Sequence, residues 1–297
     1  MVSTGFRCSA ESLALGDPMG GTASTVSNWL MLEHAGPWGR RGLDDARLTE
    51  GLGRQLRHLE RRHRVRVLLI RRPDRMSAGG VTVFAAHTGP DEAWIERTVL
   101  GVIDDAVDLD LERLGHGRRP GLEPHESSVF AVCTHGRRDP CCAELGRPLA
   151  RAIGVEHPDQ TWESTHVGGD RFAGNLVAFP HGLYFGRLDP AAGVQAASTY
   201  LDGRIDLDHL RGRSCYPMDV QSAEGFLRVR LDATGIDDVR VEVATRDGPR
   251  TAVRAVCSGS SFEIVVERVN GEPHRLTCHS EEPEPSQAFS LVSIDPV

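Results

Sequence analysis

Apolar and polar positions change their period several times along the chain, and those changes predict a mixed α/β protein. Residues 28–34 (NWLMLEH) form a short apolar run bounded by turn residues, which predicts a strand. From Asp44-Asp45 to about His63 the leucines at 48, 52, 56 and 59 recur at three- and four-residue spacing while arginines fill the other face, which predicts a helix. The β-branched runs 65–70 and 81–86 predict strands, and 94–114 predicts a further helix. The same order then returns. Residues 128–133 read as a strand and 142–153 as a helix with Leu145, Leu149 and Ile153 four apart. Residues 162–166 and 175–187 read as strands, and 191–201 as a helix. Two β-α-β-β-α strings in tandem suggest a duplicated unit whose order matches a thioredoxin-like fold, one of several folds the string permits.

Beyond these units, 203–217 is loop-rich and 219–231 predicts a helix. Alternating runs at 239–243, 251–257, 262–269 and 276–278 predict a small antiparallel appendage, with Arg246-Asp247-Gly248 and Asn270-Gly271 as hairpin turns. Residues 281–286 read as a polar linker, and 1–25 as irregular. The expected division is therefore 1–120, 121–217 and 218–297. The first two are the tandem thioredoxin-like units and the third is a helix with the β-rich appendage.

Composition narrows the function classes. A net charge of -8 over 297 residues argues against nucleic-acid binding by the chain as a whole. That charge is uneven: 37–75 holds twelve arginines against five acids, and 232–297 holds six arginines against twelve acids. The basic segment is either a solvated helix face or a dock for an acidic redox partner. The longest apolar runs, 65–70 and 172–180, are too short to cross a membrane. Residues 1–20 lack the basic start and apolar block of a secretory signal, so the cytosol is the expected compartment. Seven cysteines there suggest metal binding or a catalytic thiol rather than a disulfide scaffold.

Chemistry concentrates in the middle third. Cys133 and Cys142 stand nine positions apart, and His166 and Asp170 follow, flanking Gly168-Gly169. Soft sulfur with imidazole suits a transition metal or an iron–sulfur cluster. If the two thiolates share one iron of a [2Fe–2S] cluster, His166 and a second non-sulfur ligand would hold the other. Gly168-Gly169 would let backbone N–H groups reach the cluster, and Arg137, Arg138 and Arg171 would offset its charge. The bland readings are a buried thiol at Cys133, a core histidine at His166 and a turn residue at Asp170. Cys141-Cys142 at a helix start could instead be a reactive thiol pair, giving a cluster-free redox enzyme or sensor. Cys133, Cys142 and His166 could also hold zinc in an interaction module. Cys8, Cys215, Cys257 and Cys278 read as small buried hydrophobes, and Trp162 as core that could line the site. No glycine-rich dinucleotide loop stands where a strand meets a helix.

Three strings resemble the sucrase/ferredoxin-like family: Cys133-Thr134-His135-Gly136 through Cys141-Cys142; His166 through Asn175; and Pro180-His181-Gly182 with Tyr184, Gly186 and Arg187. Cys8-Ser9-Ala10, Gly36-Pro37-Trp38-Gly39 and 212–217 with 220–224 resemble its bacterial branch, so the likeness spans roughly residues 6–230. The resemblance implies a thioredoxin-like [2Fe–2S] ferredoxin that passes single electrons between a reductase and an acceptor protein. It also implies two cysteine and two histidine ligands, the latter as His-x-x-x-His. Cys133, Cys142 and His166 match three of these positions, and Asp170 stands at the fourth. Asp170 is then the expected fourth ligand, with His181 as the alternative and His135 and Cys141 as further candidates.

Overall fold

Side chains that alternate across two buried faces build the center of the molecule. On β1 (Asn28–Glu33), Trp29 and Met31 point into one core while Leu30 and Leu32 point into another. Such double burial is the rule where helices or a second layer cover both faces of a sheet. The computed structural model describes residues 5–74 and 79–297. Helix α1 (Cys8–Ala14) precedes β1, within a stretch expected to be irregular; residues 1–4 of that stretch lie outside the described residues. Then come α2 (Leu52–His63), β2 (Arg66–Arg71), β3 (Val81–Thr88), β4 (Ala93–Leu100), α3 (Leu111–Gly115) and β5 (Glu123–Pro124). The second half runs β6 (Val129–Cys133), α4 (Pro140–Glu156), β7 (Thr161–Ser164), β8 (Leu176–Phe179), β9 (Leu183–Phe185), α5 (Pro190–Leu201) and β10 (Leu210–Arg213). Helix α6 (Met218–Leu231) leads to β11 (Val239–Asp247), β12 (Arg250–Cys257), β13 (Ser260–His274) and β14 (Glu284–Pro296).

The first ten strands form one sheet in the order β10-β9-β8-β6-β7-β2-β1-β3-β4-β5. Its halves repeat each other. β1 runs parallel to β2 and antiparallel to β3, which pairs antiparallel with β4. β6 runs parallel to β7 and antiparallel to β8, which pairs antiparallel with β9. The halves meet where β2 and β7 pair antiparallel over Ile70↔Ser164 and Arg71↔Glu163. The sheet curls so that one face closes on itself: Trp29 meets Phe179 edge-on at 5.2 Å between ring centroids, and Phe84 meets Trp162 at 5.5 Å. Cys133 and Cys142 belong to this inter-half core. Helices α2 and α3 cover the opposite face of the first half, and α4 and α5 that of the second. The last four strands make a separate antiparallel sheet against α6.

Three elements depart from the sequence pattern. Residues 94–100 are strand β4, not the first turns of a helix, because Ile95, Thr98 and Val99 suit a pleated surface and all eight β4 residues pair with β3. The helix expected from Asp44 begins only at Leu52, after Gly51 in a left-handed conformation. The strand expected at 276–278 is a turn, and the polar passage 281–286 enters β14. That strand is polar because it is an edge: it pairs with β13 alone and shows most of its residues to water.

Candidate metal center

The site begins where β6 ends. Asp139 caps α4, its carboxylate accepting the Cys141 N–H at 2.9 Å, and Pro140 takes the first helical position. This cap puts Cys141 and Cys142 in the first turn. Consecutive helix residues point about 100° apart, so the two thiols face different surroundings. Cys142 turns toward Cys133. Helix α4 approaches the strand end closely enough that a Cβ on Gly146 would lie 2.0 Å from the Cys133 carbonyl oxygen.

His166 comes from the loop after β7. Its backbone N–H donates to His135 Nδ1 at 3.2 Å, and the other ring nitrogen of His135 faces the Gly39 carbonyl at 2.9 Å. Its own carbonyl accepts from Arg66 at 2.8 Å. These bonds bring the side chain to the two thiols: ligand atoms of Cys133, Cys142 and His166 all lie within 4.8 Å of one another. Asp170 closes the group, its Oδ1 lying 3.0 Å from His166 Nδ1 and 3.1 Å from Cys142 Sγ. Although that carboxylate is near, the buried Nδ1 has no well-aligned hydrogen-bond partner.

These groups set one another's protonation. Cys133 accepts from Cys142 and faces His166, and together these overcome burial and hold its thiol well below the ordinary range. Cys142, donating to Cys133 and buried beside Asp170, is pushed up. Burial pushes His166 down, but Asp170 and Cys133 outweigh it and bring the imidazole up to about 9. Burial likewise raises Asp170, and its contacts with His166 and Cys142 reverse that into a net lowering. Each group's shift thus depends on its neighbours in the cluster.

The remaining expected residues take other positions. Gly168 and Gly169 adopt left-handed φ of 100° and 78°; Gly168 makes room for the Ser24 hydroxyl and Gly169 for Arg211, a residue that no sequence motif marks. The buried Arg211 guanidinium donates to the Gly168 carbonyl at 3.0 Å and to Asn175 Oδ1 at 2.7 Å. Arg138 lies at the rim, near Asp170. Arg171 stacks over Phe172, and its Nε lies 3.4 Å from Asp17 Oδ2. Trp162 is buried in the inter-half core, facing Phe84. His181 follows Phe179, which pairs with Val129 at the start of β6, whereas Cys133 ends that strand. Its Nδ1 instead meets the Tyr200 hydroxyl at 2.6 Å, so the structure keeps it from the thiols. Cys141 belongs to a second group with Cys8 and Cys278.

Burial, with Arg213 adding to it, depresses His181 to about 4. Between that value and the ordinary histidine value of 6.5, the unfolded chain binds a proton the native state refuses. The stability this contributes is present above pH 6.5 and is lost as pH falls toward 4. His181→Gln keeps a partner for Tyr200 and should flatten the acid limb of the unfolding curve across that window. An unchanged slope in urea unfolding at stepped pH would refute the assignment.

A groove of about 930 Å³ runs along α2 and opens beside His166. Arg41, Arg57, Arg61, Arg64, Arg66 and Arg138 line it against one acid, Glu60. The basic segment of the sequence therefore forms one wall of the site's approach.

The geometry so far defines an α/β protein with a buried thiol–imidazole cluster of metal-binding type. The sucrase/ferredoxin-like family model matches residues 19–212, well over half the chain, and the protein belongs to that family. It is also similar to "Altered inheritance of mitochondria protein 32" of Meyerozyma guilliermondii, at 29% identity over 119 residues, covering 35% of this chain and 42% of the relative. The match thus spans less than half of that protein's length. No solved structure matches the chain. Among the described residues, no helix is long and apolar enough to cross a membrane.

Proposed function

We propose that the protein carries one [2Fe–2S] cluster on Cys133, Cys142, His166 and Asp170 and passes single electrons between a reductase and an acceptor protein. One observation carries this reading: two thiols and an imidazole, drawn from three separate segments, meet within 4.8 Å of one another, with the Asp170 carboxylate against the imidazole and one thiol. The donor set fits the group, because thiolates and imidazole both ligate such clusters and the His166 Nδ1 lacks an aligned partner of its own. Family membership and the matching strand order of the two halves, which suits tandem thioredoxin-like units, support it further. When bound, a [2Fe–2S] cluster takes up and releases one electron at a time.

The chain's own residues do the rest. The inter-half core around Val167 and Trp162 keeps water from Cys133 and Cys142. Arg211 and Asn175 fix the loop that presents His166 and Asp170; the Asn175 amide donates to the Gly169 carbonyl at 2.9 Å. His166 is the least buried of the four, with 21% of its side chain exposed, and it faces the arginine-lined groove. An acidic partner would be steered there by charge.

A second reading has its own support. Three ligand atoms within 4.8 Å of one another also suit a single four-coordinate ion, which would make this a zinc-stabilised interaction module. Anaerobic purification separates the two. The cluster reading expects a red-brown protein with about two irons and two sulfides at this site, lost in Cys133→Ala and Cys142→Ser. Colourless protein with zinc lost in the same variants would favour the module. A native spectrum in both variants would overturn the ligand set.

A further inference from the structure

Cys8, Cys141 and Cys278 stand 133 and 137 positions apart, and nothing in the chemistry above uses them. In the fold they touch. The Cys8 and Cys141 sulfurs lie 3.8 Å apart, those of Cys8 and Cys278 3.6 Å, and those of Cys141 and Cys278 3.4 Å. All are free thiols. Asp139 completes the group: its oxygens lie 3.7 and 3.9 Å from the Cys8 sulfur, and ligand atoms of all four residues fall within 4.8 Å of one another. We infer that Cys8, Cys141, Cys278 and Asp139 form a second metal site, a closed four-coordinate site for one zinc-type divalent cation.

The spacing carries the assignment. Sulfurs about 2.3 Å from a tetrahedral zinc sit about 3.8 Å from each other, and the three observed separations approach that edge. A multi-iron cluster distributes its terminal thiolates over different irons, so three sulfurs in mutual contact suit one ion. The donors are also already aimed. Asp139 accepts the Cys141 N–H at 2.9 Å and the Cys278 N–H at 2.8 Å, so one carboxylate orients two of the cysteines and keeps lone pairs for the ion. The loop bearing Cys278, between β13 and β14, is held by Arg275, whose guanidinium donates to the Cys278 carbonyl at 3.1 Å and to the Ser280 carbonyl. Helix α1 brings Cys8. On loading, three thiols become thiolates and pass their protons to solvent while the cation takes four bonds.

Such a site would staple three distant parts of the chain: the N-terminal helix, the start of α4 and the loop of the C-terminal sheet. Its middle ligand adjoins Cys142, so the staple would also fix the helix end that presents Cys142 to the first site.

Cobalt(II) is the probe, because tetrahedral thiolate coordination gives it intense visible bands. Metal-depleted, reduced full-length protein should take up, apart from any cobalt at the first site, one equivalent that Cys278→Ser loses and Cys133→Ser retains. Cys278→His should bind cobalt with shifted bands, which separates loss of a ligand from loss of the fold. Thiol titration of depleted Cys133→Ser, in which the first site is broken, should find three fewer reactive cysteines after one equivalent of zinc is added than before. Equal cobalt uptake by wild type, Cys8→Ser and Cys278→Ser would overturn the site. Failure of the first site would show instead in Cys133→Ser, so the two outcomes are distinguishable.

Discussion

Glu163→Ala is expected to cost about 3–5 kcal/mol of folding stability, the range for withdrawing one partner of a buried ion pair. Glu163 faces Arg71 across the short β2–β7 seam, where two strand-register pairs link the halves of the large sheet among the described residues. Its carboxylate accepts from Arg71 Nε at 2.7 Å and from the Thr134 hydroxyl at 3.0 Å. The two side chains of the pair are 9% and 5% exposed. The Arg71 guanidinium also lies 3.9 Å above the Trp38 ring, which ties the loop after β1 to the same point. Thr134 follows Cys133 directly, so loosening the seam also loosens the strand end that presents the first thiol. Glu163→Gln keeps the shape and should cost less. Replacing the pair together, Arg71→Met with Glu163→Leu, should recover much of the loss, because well-packed apolar residues often match a buried ion pair. Urea midpoints followed by circular dichroism measure all three. A loss below about 1 kcal/mol for the alanine variant would place the seam among the weak, solvent-screened pairs.

What the sequence conveyed depended on how local the cause was. The four-residue spacing of Leu145, Leu149 and Ile153 marked α4, because one helix face makes that pattern by itself. The nine-position spacing of Cys133 and Cys142 was equally local: a strand end and the next helix start bring them together. Residues 94–100 misled because Trp94-Ile95-Glu96-Arg97 fits a helix surface as well as a strand, and pairing with β3 decides the matter only in three dimensions. Arg211 carried no signal, since its buried partners lie at 22, 168 and 175. Cys8 and Cys278 read as small buried hydrophobes for the same reason: the sulfurs they meet lie at least 133 positions away. A clue did exist in Cys141-Cys142: adjacent residues in a helix cannot face one site, so one of them needed partners from elsewhere.

Gly169→Ala should be strongly damaging near the first site, because the added methyl meets both backbone strain and a buried side chain. Gly169 has φ 78°, and left-handed backbone costs a residue with a side chain about 1–2 kcal/mol. The added Cβ would also lie 2.3 Å from Arg211 Nη2 and 2.6 Å from its Cζ. That guanidinium is fully enclosed: it bonds Thr22 Oγ1 at 3.1 Å and the Thr22 carbonyl as well as Gly168 and Asn175, so it has no open side to move into. Displacing it breaks charge-assisted hydrogen bonds worth about 1.5–3 kcal/mol each. A total loss of about 3 kcal/mol or more follows. Because the same bonds hold the loop between His166 and Asp170, metal affinity at the first site should fall roughly 10–100-fold, as when a ligand's supporting hydrogen bonds are removed. Gly51→Ala is the control: its φ is 85°, but nothing lies within 4 Å of the added Cβ, so it isolates the backbone strain. The difference between the two variants in urea midpoint is then the Arg211 clash alone. Competition with a chelator reads the metal affinity. If Gly169→Ala loses no more stability than Gly51→Ala and holds its metal as tightly as wild type, Arg211 does not position the His166–Asp170 loop.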